Sequence, residues 1–332
     1  YSSGYQSMLI NAGETKNVGV ELTVNTVNFS TKKFSWNTTL TLSHNKNSVK
    51  ALTGEAVQLY EAKFGFNQNT HRIAVGEPLG QFYGYITEGL YQVDDFNYDA
   101  STQTYTLKDG VPYHGDKGRI RPGMWKFKNL TGDDNVIDEN DKTVIGNAQP
   151  KFYGGLNNSF TYKGFDLSIF LTFSYGNEVL NATKLVTSKV GSLNYNALDV
   201  MNSSNRWMTI NSDGRKVTDP GELAALNAGK TVAAYHDAQQ GDNYIHSWAV
   251  EDASYLKLSN VTLGYTFPKN LIARVGLKNL RLYATGNNLL TWTKYSGFDP
   301  EVSTMKSGLT PGVDFGAYPL SRSFIFGLNV AF

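Results

Sequence analysis

The stretch Gly132-Asp133-Asp134-Asn135-Val136-Ile137-Asp138-Glu139-Asn140-Asp141 packs four Asp, one Glu and two Asn into ten residues. Hard oxygens spaced this closely around a tight turn suit Ca²⁺. The candidate ligands in this 129–141 acidic loop are Asp133, Asn135, Asp138 and Asp141. Val136 and Ile137 would pin the loop to a core while the carboxylates turn inward. The competing reading is a solvated acidic turn, whose charges repel one another unless something neutralises them.

Two other stretches offer aromatic planes. Gly80-Gln81-Phe82-Tyr83-Gly84-Tyr85 makes Phe82 and Tyr83 candidates for a stacking surface. The segment 177–253 carries Trp207, Tyr235, Tyr244, His246 and Trp248. Aromatic faces stack on sugar rings and neighbouring Asn and Asp grip hydroxyls, so carbohydrate contact is chemically reasonable. Packing within the loops accounts for the same residues.

Catalysis finds little support. The five His show no His-Glu-x-x-His spacing, and neither a Gly-x-Ser-x-Gly elbow nor a phosphate-cradling Gly loop occurs. Adjacent carboxylates at Asp94-Asp95 and Asp133-Asp134 do not straddle a substrate merely by being neighbours. We therefore expect no enzyme. The absence of Cys excludes disulfides and thiolate metal sites, and a net charge of +1 gives no reason to expect nucleic acid.

The elements that must position these residues read as β-strands. Only 18% of residues are charged while 13% are aromatic, a balance that favours sheet over helix. Period-two alternation is clearest in 165–176, where Phe165, Leu167, Ile169, Leu171, Phe173 and Tyr175 oppose Asp166, Ser168, Phe170, Thr172 and Ser174. Further long strands are expected at about 17–29, 34–44, 152–162, 254–267, 277–290 and 320–332. They exceed the usual globular strand and match the roughly 9–11 residues of a tilted membrane-crossing one. No stretch approaches 18 consecutive apolar residues, so no transmembrane helix is expected. Alternation alone fits either a membrane barrel or a large soluble sandwich.

The connections favour the barrel. Short ones (30–33, 163–164, about 268–276) alternate strictly with long ones (about 45–151, 177–253, 291–318). Up-and-down barrels carry short turns at the periplasmic rim and long extracellular loops at the other. An open sheet in lipid would expose an unsatisfied edge, so seven strands are expected to be the C-terminal portion of a larger barrel. No N-terminal plug domain is read in these residues. The chain starts at Tyr1 without a signal-like segment, as an internal fragment also would.

At this point the sequence resembles the SusC/RagA family of TonB-dependent outer-membrane transporters of Bacteroidetes. The carrying blocks include Asn17-Val18-Gly19-Val20-Glu21-Leu22, Gly118–Lys128, Asp141–Gly155, Ala253–Tyr265, Leu282–Thr291 and Gly297-Phe298-Asp299-Pro300-Glu301. They run in order over nearly the whole chain. The resemblance implies an all-β, 22-stranded antiparallel barrel with a plug supplied by a missing N-terminal segment. It implies energy from TonB through that plug and a SusD-like lipoprotein lid. Substrates would be oligosaccharides or oligopeptides, and terminal Phe332 resembles a barrel-assembly signal. One departure stands out: the acidic turn in the family reads close to Asp-x-Asn-Gly-Asp-Gly-x-Ile-Asp, whereas Asn129–Asp138 is one residue longer and opens with Asn129. Readings from other classes are a passive structural or adhesive outer-membrane β-protein and a soluble carbohydrate-binding β-domain.

Overall fold

A computed structural model describes residues 13–53, 57–61, 69–132, 134–188, 196–234, 244–304 and 307–332. Seven long strands form one sheet: β1 (Gly13–Ser30), β2 (Phe34–Leu52), β3 (Phe152–Tyr162), β4 (Phe165–Tyr175), β5 (Tyr255–Thr266), β6 (Asn279–Thr293) and β7 (Ser323–Ala331). Each pairs antiparallel with its sequence neighbour, giving an unbroken meander in the order β1 to β7.

The ladder register sorts side chains by face. Trp36, Phe160, Leu167, Leu263, Ala284 and Phe326 form one cross-strand row. The next row, on the opposite face, runs Asn37, Ser159, Ser168, Thr262, Thr285 and Ile325. Polar side chains on that second face bond laterally, as Ser168 does to Asn157 (3.0 Å) and Thr262 to Thr285 (2.9 Å). The apolar face ends in aromatics at both rims. Phe165 and Tyr265 lie 4.5 Å apart at one, and Phe152 stacks on Tyr175 at 4.8 Å at the other. Between those rims β4 is 11 residues long, the span a tilted strand needs to cross hydrocarbon. Among the described residues no helix is long and apolar enough to cross a membrane.

Several strand ends differ from the periodicity-derived boundaries, β1 running Gly13–Ser30 rather than 17–29, because pairing is something alternation cannot register. The strand expected at 34–44 runs on to Leu52, because β1 continues to pair with it beyond Ser43, where β3 leaves off. The strand expected to stop at 290 reaches Thr293. There the ladder shifts between Leu258↔Leu290 and Asn260↔Asn287, with Asn288 at φ 52°, a bulge that absorbs one residue. β7 begins at Ser323 rather than 320.

The three long connections also depart from the expectation of loops. They fold together into a second body at one end of the sheet. It contains short strands such as Gln81–Gly84, Trp125–Phe127 and Glu178–Asn181, and the helices Ala182–Thr187 and Pro220–Leu226. Its cores mix all three connections: Phe82, Leu180, Ile245 and Val313 are buried in one cluster, and Tyr85, Trp125, Phe127 and Trp207 in another. Backbone bonds stitch the segments, Tyr85 N–H to Ile245 O and Leu180 N–H to Gly312 O, each 2.9 Å.

Candidate functional site

Phe82 and Trp207, candidates for a stacking surface, are buried in the cores just described. Trp207 lies flat on Gly123, where a Cβ would come within 2.3 Å of the indole and where φ is +85°. That close approach, in a left-handed backbone conformation, restricts the position to glycine. For these two residues the packing reading replaces the ligand reading. Tyr244 is half-buried, edge-on to Tyr85 (5.3 Å) and Phe127 (5.9 Å). Trp248 is half-buried beneath the Lys184 ammonium, 4.1 Å from the ring centroid. That ammonium also donates to Trp248 O and to Glu251, both at 3.0 Å. Tyr83 is half-buried in the strand Gln81–Gly84, and Tyr235 lies outside the described residues. The fold therefore does not gather the five described aromatics onto one open surface.

The acidic turn is organised by its own backbone. Asp141 is fully buried. Its Oδ1 accepts the N–H of Leu130 (2.6 Å) and Thr131 (2.9 Å) and the Thr131 hydroxyl (3.2 Å), while Oδ2 accepts Asp138 N–H (2.8 Å). Burial alone would raise its pKa, but those donors outweigh it and hold the carboxyl below its ordinary value. Asp138 accepts Asn140 N–H at 2.7 Å, and Asp134 accepts Val136 N–H at 3.1 Å. Lys142 pairs with Glu139 at 2.7 Å. Asn135 takes φ 56°, a conformation its short amide tolerates. Ile137 anchors the turn in the core. Among the described residues no three acidic or His side chains converge as a metal site; Asp133 lies outside them. The self-repulsion expected of this turn is relieved by N–H donors and a lysine.

A concavity lies elsewhere, beside β2. Because β3 pairs with β2 only up to Ser43↔Tyr153, the upper half of β2 stands away from the segment entering β3. The resulting cleft, about 600 Å³, is lined by Asn45, Asn47, Asn147, Gln149, Glu178 and Asp252 among others. One corner is closed by His44, whose Nδ1 meets Lys151 O at 2.6 Å. Several walls are fixed internally. Asn47 accepts Leu79 N–H (2.7 Å), Glu178 accepts Asn147 N–H (2.7 Å), and Asp252 accepts Ser254 Oγ (2.5 Å) and N–H (2.9 Å). The Ser254 hydroxyl and amide hold the Asp252 carboxyl below its usual range. Its volume falls within the range of small-ligand sites, and its amide and carboxylate lining can bond hydroxyls or peptide groups. No local motif announces it, since its walls come from five separate segments of the chain, around residues 45, 78, 149, 176 and 253.

The polar face of the sheet carries a charge pair between two of its own strands. Arg281 on β6 reaches across β5 to Asp166 on β4, with Nε to Oδ1 at 3.1 Å and Nη2 to Oδ2 at 2.5 Å. It crosses over Gly264, where a Cβ would sit 2.4 Å from the guanidinium, so only glycine leaves room for the bridge.

No protein-family model matches the chain. It is 34% identical over 337 residues to the TonB-dependent receptor P3 of Formosa agariphila, covering 99% of the chain and 30% of that receptor. It is 27% identical over 338 residues to the TonB-dependent receptor SusC of Bacteroides thetaiotaomicron, covering 98% of the chain and 27% of that protein. The chain thus spans less than a third of the length of these relatives. Its fold is similar to the solved structure of the RagAB peptide transporter, with a TM-score of 0.67 at 21% identity over 99% of the chain and 31% of that structure's. Along nearly its whole length, then, the chain is similar to part of receptors named for TonB dependence, SusC among them, and it shares its fold with part of the RagAB transporter.

Proposed function

We propose that this chain forms wall and outer loops of a TonB-dependent importer in the outer membrane of a Gram-negative bacterium of the Bacteroidetes. The observation carrying this reading is the separation of faces in the seven-stranded sheet, apolar and rimmed by aromatics on one side, hydroxyl- and amide-lined on the other. Such a sheet fits between lipid and a wet lumen. In this reading the short turns face the periplasm and the folded body of long connections faces outward. The remaining strands and the plug come from another segment of the receptor, through which TonB acts. A SusD-like lipoprotein covers the outer body.

Substrate, an oligosaccharide or oligopeptide, is held by hydrogen bonds spread over several segments. The cleft beside β2 is a contact region of suitable chemistry, since Asn45, Asn47, Asn147 and Gln149 can bond either hydroxyls or peptide amides. The kinship of the chain to receptors named for TonB dependence supports the energised mode.

The test is growth and labelled-substrate uptake on a panel of oligosaccharides and oligopeptides, comparing the parent strain, a deletion and a TonB-deficient strain. Loss of uptake of one substrate class in both mutants is expected. Unimpaired uptake in the deletion would leave the passive or adhesive reading. A protein that stays monodisperse without detergent would leave the soluble carbohydrate-binding one.

A further inference from the structure

The three short turns carry a charge pattern unlike the rest of the molecule. Residues 31–33, 163–164 and 267–278 contain Lys32, Lys33, Lys163, Lys269, Arg274 and Lys278, and no Asp or Glu. The meander brings all three turns to one rim of the sheet. All six side chains belong to exposed residues. Seven ion pairs form among the described residues and none includes any of the six. Asp166, next to the second turn on β4, is already bridged to Arg281. Elsewhere acidic and basic residues are mixed over a chain whose net charge is only +1.

Two further features fix the level of this rim. Aromatic residues flank the turns: Phe29 and Phe34 the first, Tyr162 and Phe165 the second, Tyr265 and Phe267 the third. The amphipathic rings of Tyr162 and Tyr265 suit the boundary between hydrocarbon and headgroups, with the four Phe on its apolar side, so the cations just beyond them lie at headgroup depth. In the third turn, the single helical turn Lys269–Ile272 and the short 3₁₀ turn Ala273–Val275 bury Ile272 but leave Leu271 54% and Val275 71% exposed. An exposed apolar pair among three cations is the make-up of a segment lying in a membrane interface.

We propose that the rim of short turns binds the headgroups of anionic phospholipids in the leaflet facing it, with the six cations matching headgroup phosphates and Leu271 and Val275 entering the interface. This rests on reading the sheet as a membrane wall. It adds a lipid preference that the wall reading alone does not require.

The test uses the purified protein in a neutral detergent, incubated with equal amounts of phosphatidylglycerol and phosphatidylcholine. Retained lipid is counted by native mass spectrometry. The wild type is expected to retain phosphatidylglycerol preferentially, with the preference declining toward parity at high salt because surface charges are screened. Each cation near an anionic surface strengthens binding about fivefold, so K32Q/K33Q together and K269Q/K278Q together should each cut the preference by more than tenfold. Parity in a detergent-requiring wild type would overturn the headgroup proposal while leaving the wall intact. So would a preference unchanged by salt and by both double variants, or turn-dependent capture of isolated peptidoglycan without any lipid preference. If the glutamine variants fold poorly, the salt titration of the wild type decides alone. A wild type that needs no detergent overturns the wall reading itself.

Discussion

The sheet and the body of long connections use the same residue types in opposite ways. On the sheet Phe326 is 81% exposed and its row neighbours Leu263 and Trp36 are also exposed. In the body Trp207 is 1% exposed and Phe82 and Phe127 are fully buried. A water-facing surface does not present contiguous rows of Phe, Leu and Val, so the sheet's outer face is built for an apolar solvent. The body pulls its aromatics inward and satisfies its carboxylates internally, as Asp141 and Glu251 do, because its solvent is water. One chain therefore folds against two solvents, and a substitution should have different consequences on each side of the boundary.

The sharpest break would come from Trp207→Ala, which empties the space against Gly123 and should destabilise the body by about 3–5 kcal/mol. Hydrogen exchange of the body's amides would read this as increased local opening, whereas Phe326→Ala should leave those amides unchanged.

Acid should also distinguish the two regions. His71 is fully buried, with Nε2 bonded to Pro311 O at 2.9 Å and Nδ1 to Thr70 Oγ1 at 2.8 Å. A carbonyl only accepts, so Nε2 carries a proton, and burial favours the neutral ring. Burial lowers its pKa from 6.5 to about 4, the Pro311 bond opposing this only in part. Between those values the unfolded body binds more protons than the folded one. Stability from this residue is thus complete above pH 6.5 and is lost as pH falls toward 4, amounting to about 3 kcal/mol. His71→Gln should flatten that slope in a pH series of urea melts, and the sheet's own unfolding should not respond.

On the sheet, charge tests which face meets lipid. Ile169→Arg on the apolar face should cost about 2–4 kcal/mol in vesicles, while Ser168→Arg one position away should cost far less. Equal penalties would contradict the assignment of faces.

The smallest effect concerns the acidic turn. Asp141→Asn should cost about 1–3 kcal/mol, because the amide's NH₂ cannot accept the N–H groups that the carboxylate did. Addition of EDTA should leave the body's melting temperature unchanged. A chelator-dependent drop of several degrees would restore the calcium reading for Asp133, Asn135, Asp138 and Asp141.

Much of the architecture was legible because it depends on local periodicity. Alternation from Phe165 to Tyr175 fixes which side chains share a face whatever surrounds the strand, and the sorting of short and long connections implies a meander. The acidic turn was visible as a cluster, and the basic character of the short turns is written in the same letters.

What those letters could not decide is which partner each group meets. An aromatic in a loop packs or stacks ligand according to whether distant segments cover it, and Phe82 is covered by residues as remote as Val313. A carboxylate binds metal or backbone according to the turn's dihedrals, and with Asn135 at φ 56° the next N–H, that of Val136, bonds Asp134. The cleft beside β2 exists only because β3 stops pairing at Ser43 and residues around 45, 147 and 252 then face one another. Sequence by itself determined the strands and their two faces, because that information repeats every second residue. Tertiary structure alone decided burial and the cleft, because both depend on contacts between residues that the chain keeps a hundred or more positions apart, whereas the acidic turn took its partners from backbone no more than 11 positions away.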